Sequence, residues 1–547
     1  MKEVEDSMIK TIIYAAILIS LIFTPMNYDA LIIPKVILLF CLVLHLFPKI
    51  LVSYKEILAN KKLKFLVIVS LLMILQMLIV IIVSEAPIEQ QIFGRTGRGL
   101  GFITYSSLIL LSIFTAIYIR IENLKLVICG IIIACSISSV YSALQKYDLD
   151  IFNWNSKTNG IIGTLGNPNF QSSFAAIVFI PAIIYAWNMR YRYILVLGTG
   201  LFFSFIIYIT QSTQGYVAVI ASILVYVLIY LWFRNKILFY GCTLLSLIFS
   251  VFAIVGMLNQ GPLSQYLYKI SVQSRGDFWR SAFSAANANP MFGVGLDSTS
   301  DVFLKYRDQT AANHPWAEMT DNAHNYFLEM AATGGYPFTF LYSIILILSL
   351  YSFFSLQKKL GKFDRNLTSL FAAWIVFQLQ SMISPGNIVL MIWNSILCGV
   401  FVGVNAKYFG DQSNTQKRVL LPKFKINTIG ILLPLIGVIL TFPYFNSDRL
   451  LLKGLNTANA DLVIQSVKSY PESVSKYNLI GQELLRSNLP IQALDVARSA
   501  IKFNPNAVSA WGLILINPSA PVEERQKAKE QILRLDPLNT EVLAFKF

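Results

Sequence analysis

The sequence predicts an all-α protein that crosses a membrane many times, with about 12–13 spanning helices, one large polar loop and a C-terminal domain of helical repeats. Three observations predict this class. Hydrophobic residues make up 55% of the 547 and charged residues 13%, against about 25% charged in a soluble domain, and the mean hydropathy is +0.60. Thirteen apolar stretches each approach the ~20 residues a helix needs to cross a bilayer core. From residue 446 onward the bias disappears, with twelve basic and ten acidic residues in the last stretch. The chain therefore divides into helices 1–9 (residues 1–258), a large loop (259–335), helices 10–13 (336–445) and a soluble helical domain (446–547).

The expected spans lie near 9–25, 30–47, 65–84, 103–119, 126–145, 170–188, 193–210, 215–233, 237–258, 336–356, 367–384, 388–404 and 426–445. With the N-terminus inside and connections alternating, the inside segments hold 22 Lys and Arg and the outside loops nine, five of them in the one long loop. Short loops are what the positive-inside rule weighs. The net charge of +15 is thus topological and is no nucleic-acid footprint. An odd number of spans puts the long loop and the C-terminal domain outside. The first apolar run has no small-residue cleavage site after it and reads as a retained anchor. All five cysteines fall in apolar runs without metal-ligand spacing and read as packing residues.

In chain order, a short turn at Tyr28-Asp29 joins the first two spans, and His45 near the inner end of the second reads as interfacial packing. The outside loop after the third span carries Arg95 and Arg98 among Gly94, Gly97, Gly99 and Gly101. Glycines let a backbone approach a ligand closely, and guanidinium groups clamp phosphate oxygens. Interfacial anchoring to lipid headgroups is the plainer reading of the same arginines. Asp148 and Asp150 form an Asp-x-Asp pair, a weak metal signal by itself. In the turn Gly166-Asn-Pro-Asn169 the candidate cap of the next span is Asn169. Gln211 to Gln214 place polar groups at the outer membrane boundary, where such groups face protein or a water-filled cavity.

The long loop holds two of the three histidines, His314 and His324. Ser274 is a candidate cap for a short helix carrying Arg275, Trp279 and Arg280. Asn289-Pro290 ends that helix, and Gly293-Val-Gly295 makes a second turn. Asp321, His324, Asn325 and Glu329 then open the tenth span, with His324 and Leu328 on one helix face. The His-x4-Glu spacing with no second histidine nearby is poor for zinc. At the C-terminal end, Pro471 and Pro505 are 34 residues apart, as are Tyr477 and Trp511. Tyr477, Ile480, Gly481, Leu484, Ala493, Ala497 and Ala500 fall on the large and small positions of a 34-residue tetratricopeptide-like helix-turn-helix repeat. Such repeats bind partner polypeptides or pack on their own protein.

Taken together, Arg275 with Trp279, Asn289-Pro290 with Gly293-Val-Gly295, and Asp321-Asn-Ala-His324-Asn-Tyr-Phe-Leu328-Glu329 followed by Gly334-Gly335 resemble the O-antigen ligase family. That superfamily comprises O-antigen ligases, O-antigen polymerases and bacterial O-oligosaccharyltransferases. The turn at 166–169 and Ser-x-Gln-Gly at 212–215 add to the likeness, which spans roughly residues 160–345. The resemblance implies a GT-C-like membrane glycosyltransferase of the bacterial inner membrane, working at its outer face. It implies a polyprenyl diphosphate-linked glycan as donor, a glycolipid or protein hydroxyl as acceptor, and neither metal nor cofactor. Arg275 would hold the diphosphate and His324 would activate the acceptor. Where many members carry a further arginine, this chain has Gln214, so Arg95 or Arg98 would supply that charge. Arg280, Asp321, Asn325 and Glu329 complete the expected substrate-binding set.

The chemistry agrees with this division of roles. A departing diphosphate gains charge, which a preorganised guanidinium stabilises. An imidazole with an ordinary pKa near ~6.5 accepts a hydroxyl proton at neutral pH, which predicts activity rising between pH 5 and 8. Three other readings compete. Chain polymerisation uses the same donor. A lipid-linked-sugar flippase would show internal symmetry between its halves, which the sequence lacks. A metal-dependent transferase would use Asp148 and Asp150.

Overall fold

The computed structural model describes residues 2–152, 154, 161–268, 270–314, 320–409 and 423–546. Of the basic residues that set the topology, Lys157, Lys269, Lys417 and Arg418 lie outside the described residues. Among those described, every regular element is a helix, and a long helix stands at each expected span, from Lys2–Leu21 to Lys423–Asn456. Ten are long and apolar enough to cross a membrane. The other three are Lys2–Leu21, whose first turns are charged, and Phe102–Tyr118 and Arg365–Ser381, of 17 residues each. The protein is a polytopic all-α membrane protein.

Side-chain caps set where several of these helices begin. Asn60, Asn235 and Asp364 each accept first-turn backbone N–H groups of the helices that follow them, satisfying donors that the helix itself leaves open. At the 166–169 turn the cap is Asn167, with Pro168 in the first helical position, not Asn169. Asn167 is followed by the fixed φ of proline, which suits that position. Ser274 also departs from expectation, lying within the helix Ile270–Ala288.

The helix Ile388–Phe409 is buried on nearly all sides and forms the centre of the bundle. It lies tight against Phe102–Tyr118 because Gly399 and Gly403 face that backbone. A Cβ on either would come within 2.4 Å of the Ser112 or Ala116 carbonyl oxygen. Small residues at such crossings give membrane helices their packing contact. Lys236–Met257 is at the opposite extreme, exposing Leu244, Leu245 and Ile248 on a surface suited to lipid. His45 is more than interfacial packing: its Nδ1 lies 2.7 Å from the Gly430 carbonyl oxygen and its Nε2 3.0 Å from Lys49 Nζ.

The thirteenth long helix runs on to Asn456, through the boundary expected at 446. Six shorter helices follow, from Ala460–Val467 to Thr540–Ala544. Tyr477, Ile480, Leu484, Ala493, Ala497 and Ala500 are buried there. Gly481 admits Leu513, whose Cδ1 would lie 2.4 Å from a Cβ at that position. These residues form part of the core of the C-terminal helices.

Candidate active site

Two glycine motifs far apart in sequence build the floor of the site. The helix Tyr326–Leu360 breaks at Gly335, with φ 79° and ψ 169°. Against this break runs the Pro290–Gly295 segment. Val294 N–H donates to the Ala332 carbonyl (2.8 Å), Gly295 N–H to Thr333 (3.1 Å) and Tyr336 N–H to Pro290 (2.8 Å). A Cβ on Gly293 would sit 2.4 Å from Thr333 backbone and one on Gly335 2.5 Å from Met291 backbone, and both residues have positive φ. Glycine alone fits there without strain. Gln76 stitches the two strips together, its amide donating to the Met291 and Gly334 carbonyls.

His324 stands just before the helix that this floor supports. It does not lie on a helix face with Leu328, the arrangement its spacing predicts. Its φ is +49°, a left-handed conformation that is uncommon for a residue with a side chain. Its N–H donates to Asn322 Oδ1 (2.7 Å). Asn325 caps the helix, accepting from the N–H groups of Phe327 and Leu328. The buried Glu329 reaches back with both oxygens, accepting from Thr299 Oγ1 and from Ala323 N–H, each at 2.7 Å. Asn325 and Glu329 therefore shape the turn that presents the histidine.

That role has a measurable consequence. Glu329→Ala strands two buried donors, at about 1–3 kcal/mol each. The detergent-solubilised variant is expected to melt several degrees lower, with Glu329→Gln recovering part of the loss. Equal melting temperatures for wild type and alanine variant would remove Glu329 from this role.

The arginine loop closes over the histidine from another part of the chain. Asp321 accepts Arg98 in a two-pronged ion pair, Nε to Oδ2 at 2.7 Å and Nη2 to Oδ1 at 3.0 Å. The loop itself is held through its backbone N–H groups. Asp297 Oδ2 accepts the N–H groups of Arg95 (2.7 Å) and Leu100 (3.3 Å), and Asp29 Oδ2 accepts that of Gly97 (2.8 Å). Among the described residues neither Arg95 nor Arg275 has a carboxylate partner. Phe278, one helical turn beyond Arg275, lies 5.4 Å from the His324 ring, centroid to centroid.

This setting fixes the charges. Burial pushes the His324 pKa down to about 4, aided by the positive charges of Arg98 and Arg275 and opposed by Asp321. The imidazole is neutral at physiological pH, and the rise in activity expected between pH 5 and 8 moves to more acid pH. Burial alone would raise the Asp321 carboxyl, but Arg98, with Arg95 and His324 adding to it, holds it below the usual carboxylate range. Burial lifts Asp297 to about 6, and burial together with Asp448 does the same for Asp29. The site is therefore a neutral imidazole beside the ionised Asp321, with the guanidinium groups of Arg98, Arg275 and Arg95 close by. It can accept a proton and hold an anion.

Two expected members are engaged by other partners. Arg280 is taken up by Asp277 (2.6 Å) and Asp308 (2.5 Å), and Asp277 also meets His314 Nδ1 (2.7 Å). Gln214 donates to Ser384 Oγ (2.7 Å). Of the Asp-x-Asp pair, Asp150 is saturated by Tyr141, Gln145, Trp154 and the Phe152 N–H. Sequence reasoning alone misses Asp29, Asp297 and Phe278. An acid in a short connection between apolar runs (Asp29), or just after a glycine turn (Asp297), is the available signal.

The C-terminal helices share in this construction. Ser473 Oγ meets Thr96 Oγ1 at 2.9 Å, Asn504 donates to Asp301 (2.9 Å), and Arg307 pairs with Asp536 (2.8 Å) in a largely buried contact. Lys476 meets Asp448 at 3.1 Å, and Asp448 in turn accepts the Asp29 N–H.

Residues 198–343 match a family model described as O-antigen ligase. The matched stretch holds Gln214, Arg275, Arg280, Asp321, His324, Asn325 and Glu329, whereas Arg95 and Arg98 lie outside it and reach the site through the fold. No curated protein matches the chain.

Proposed function

With residues 198–343 belonging to the O-antigen ligase family, a membrane glycosyltransferase in general terms, we propose that the chain transfers a glycan from a polyprenyl diphosphate carrier to a hydroxyl acceptor at the outer face of the inner membrane. The observation that carries this is the joining of a neutral His324 to Arg98, Asp321 and Arg275, brought from two loops into one site. His324 takes the acceptor proton as the oxygen attacks the anomeric carbon. The bond to the diphosphate breaks, and the leaving group departs with the electron pair. Arg275 and Arg95, neither in an ion pair among the described residues, hold the developing charge. The imidazolium then returns its proton to solvent or to the released diphosphate. No step needs a metal, in keeping with the four donors already engaging Asp150. The C-terminal helices position the acceptor or a protein partner and carry no chemistry, having no histidine.

The test is incubation of purified protein with a polyprenyl-diphosphate glycan and candidate glycolipid or protein acceptors, followed by product sizing. One added block per acceptor is the expected result, unchanged by EDTA. A ladder of repeats would make the enzyme a polymerase acting on the same donor. Inhibition by EDTA with recovery on a divalent ion would overturn the metal-free mechanism.

A further inference from the structure

A cavity of about 370 Å³ opens against the turn from Asn289 to Val294. Besides that turn, its walls come from three parts of the chain. They are the end of the Lys61–Val83 helix with Glu85 beyond it, the Thr299–Tyr306 helix with Lys305 and Tyr306, and the C-terminal helices with Asn504 and Asn506. The volume falls at the lower end of the ~300–1,000 Å³ typical of small-molecule sites.

We propose that this cleft is a saccharide-binding subsite, holding a short stretch of the transferred or accepting glycan while His324 acts on its end. The proposal rests on the glycan-transfer reading and adds where the sugar chain is gripped.

The lining suits hydroxyl-rich rings better than lipid or a simple anion. It offers both hydrogen-bond donors and acceptors and carries charges of both signs. The side-chain amide of Asn506 has no hydrogen-bond partner among the described residues, and the exposed Glu85 and Lys305 have no ion partner there. Lys305 instead stands over the Tyr306 ring, 5.5 Å from its centroid, beside an aromatic face that can take the apolar side of a sugar. Asn504 and Asn289 are already engaged, by Asp301 and by Tyr306, and give the cleft its shape.

Position adds to composition. The turn forming one wall is hydrogen-bonded through Val294 and Gly295 to Ala332 and Thr333, in the helix that His324 precedes. Thr299, at the start of the second wall, donates to Glu329. A saccharide held in the cleft is thereby fixed relative to the histidine. The third wall comes from the C-terminal helices and is anchored by the Arg307–Asp536 pair.

The test measures binding apart from transfer. The probe is the free oligosaccharide released by mild acid from the host's lipid-linked glycan, followed by saturation-transfer NMR and calorimetry on the full-length protein. The Lys305→Ala/Asn506→Ala double variant is expected to bind it about tenfold more weakly, the usual effect of losing a pair of ligand hydrogen bonds. His324→Ala should bind it as wild type does. Glu85→Ala, at an exposed position, provides a second reading should the double variant fold poorly, and is expected to weaken binding too. In transfer assays the double variant should raise KM with kcat held. Equal binding by wild type and cleft variants overturns the proposal, as does a wild-type enzyme that transfers glycan yet fails to bind the free oligosaccharide. Loss of binding to an acceptor polypeptide alone would make the cleft a peptide site and also overturn it. Binding that depends on the cleft in a protein incapable of transfer would leave the subsite standing and remove the proposed reaction.

Discussion

His324→Ala is expected to lower kcat by about 10²–10⁴-fold, the usual contribution of a general base, while donor affinity stays near that of wild type. The imidazole takes a proton only as the acceptor attacks, so its loss falls on the transition state and not on the bound ground state. The pH dependence separates this role from a structural one. With the His324 pKa pushed down to about 4 by burial and neighbouring guanidinium groups, the neutral base predominates above that value. Activity rises as pH climbs through about 4, so kcat/KM, which reports the free enzyme, should be flat from pH 5 to 8. A bound diphosphate brings negative charge beside the ring and offsets Arg98 and Arg275. The limb in kcat, which reports the loaded enzyme, should therefore lie at higher pH than the limb in kcat/KM. An alanine variant with wild-type kcat would remove His324 as the base.

Arg275→Ala should weaken donor binding and slow transfer by roughly 10²–10³-fold, the scale for losing a stabiliser of developing charge. Its guanidinium has no carboxylate partner among the described residues, so it is not spent on holding the fold together. Arg275→Lys should recover only part of the activity, because an ammonium is a point charge without the planar fork that clamps two phosphate oxygens. A second readout is independent of rate. Arg275 helps depress the His324 pKa, so removing its charge should move the acid limb of kcat/KM to higher pH. An unchanged limb together with unchanged donor affinity would place Arg275 outside the site.

Much of the architecture is legible in the chain because membrane helices are written as apolar length, and a long helix stands at each expected span. His324, Asp321 and Arg275 are legible for a different reason. Ionisable residues are scarce in so apolar a chain, and those gathered beside a spanning helix mark a pathway or a site. What stays hidden is whatever depends on distant segments meeting. Asp297 reads as one acid among many until its carboxylate is found on the Arg95 and Leu100 amides. Asn325 and Glu329 look like ligands in sequence, and only the turn around His324 reveals one as a cap and the other as a brace. The lowered pKa of His324 comes from burial and from an arginine more than 200 residues away in the chain, which no local pattern encodes.

The clasp between Arg307 and Asp536 joins residues 229 apart, and that between Asp29 and Asp448 joins residues 419 apart. Such contacts set a schedule for biogenesis. The membrane helices can insert one after another as they are made, but the tie from Arg307 of the long loop to Asp536 closes only when the chain through residue 536 has been synthesised. A nascent chain arrested short of that point would hold its helices in the bilayer without the Arg307–Asp536 tie between the long loop and the C-terminal helices.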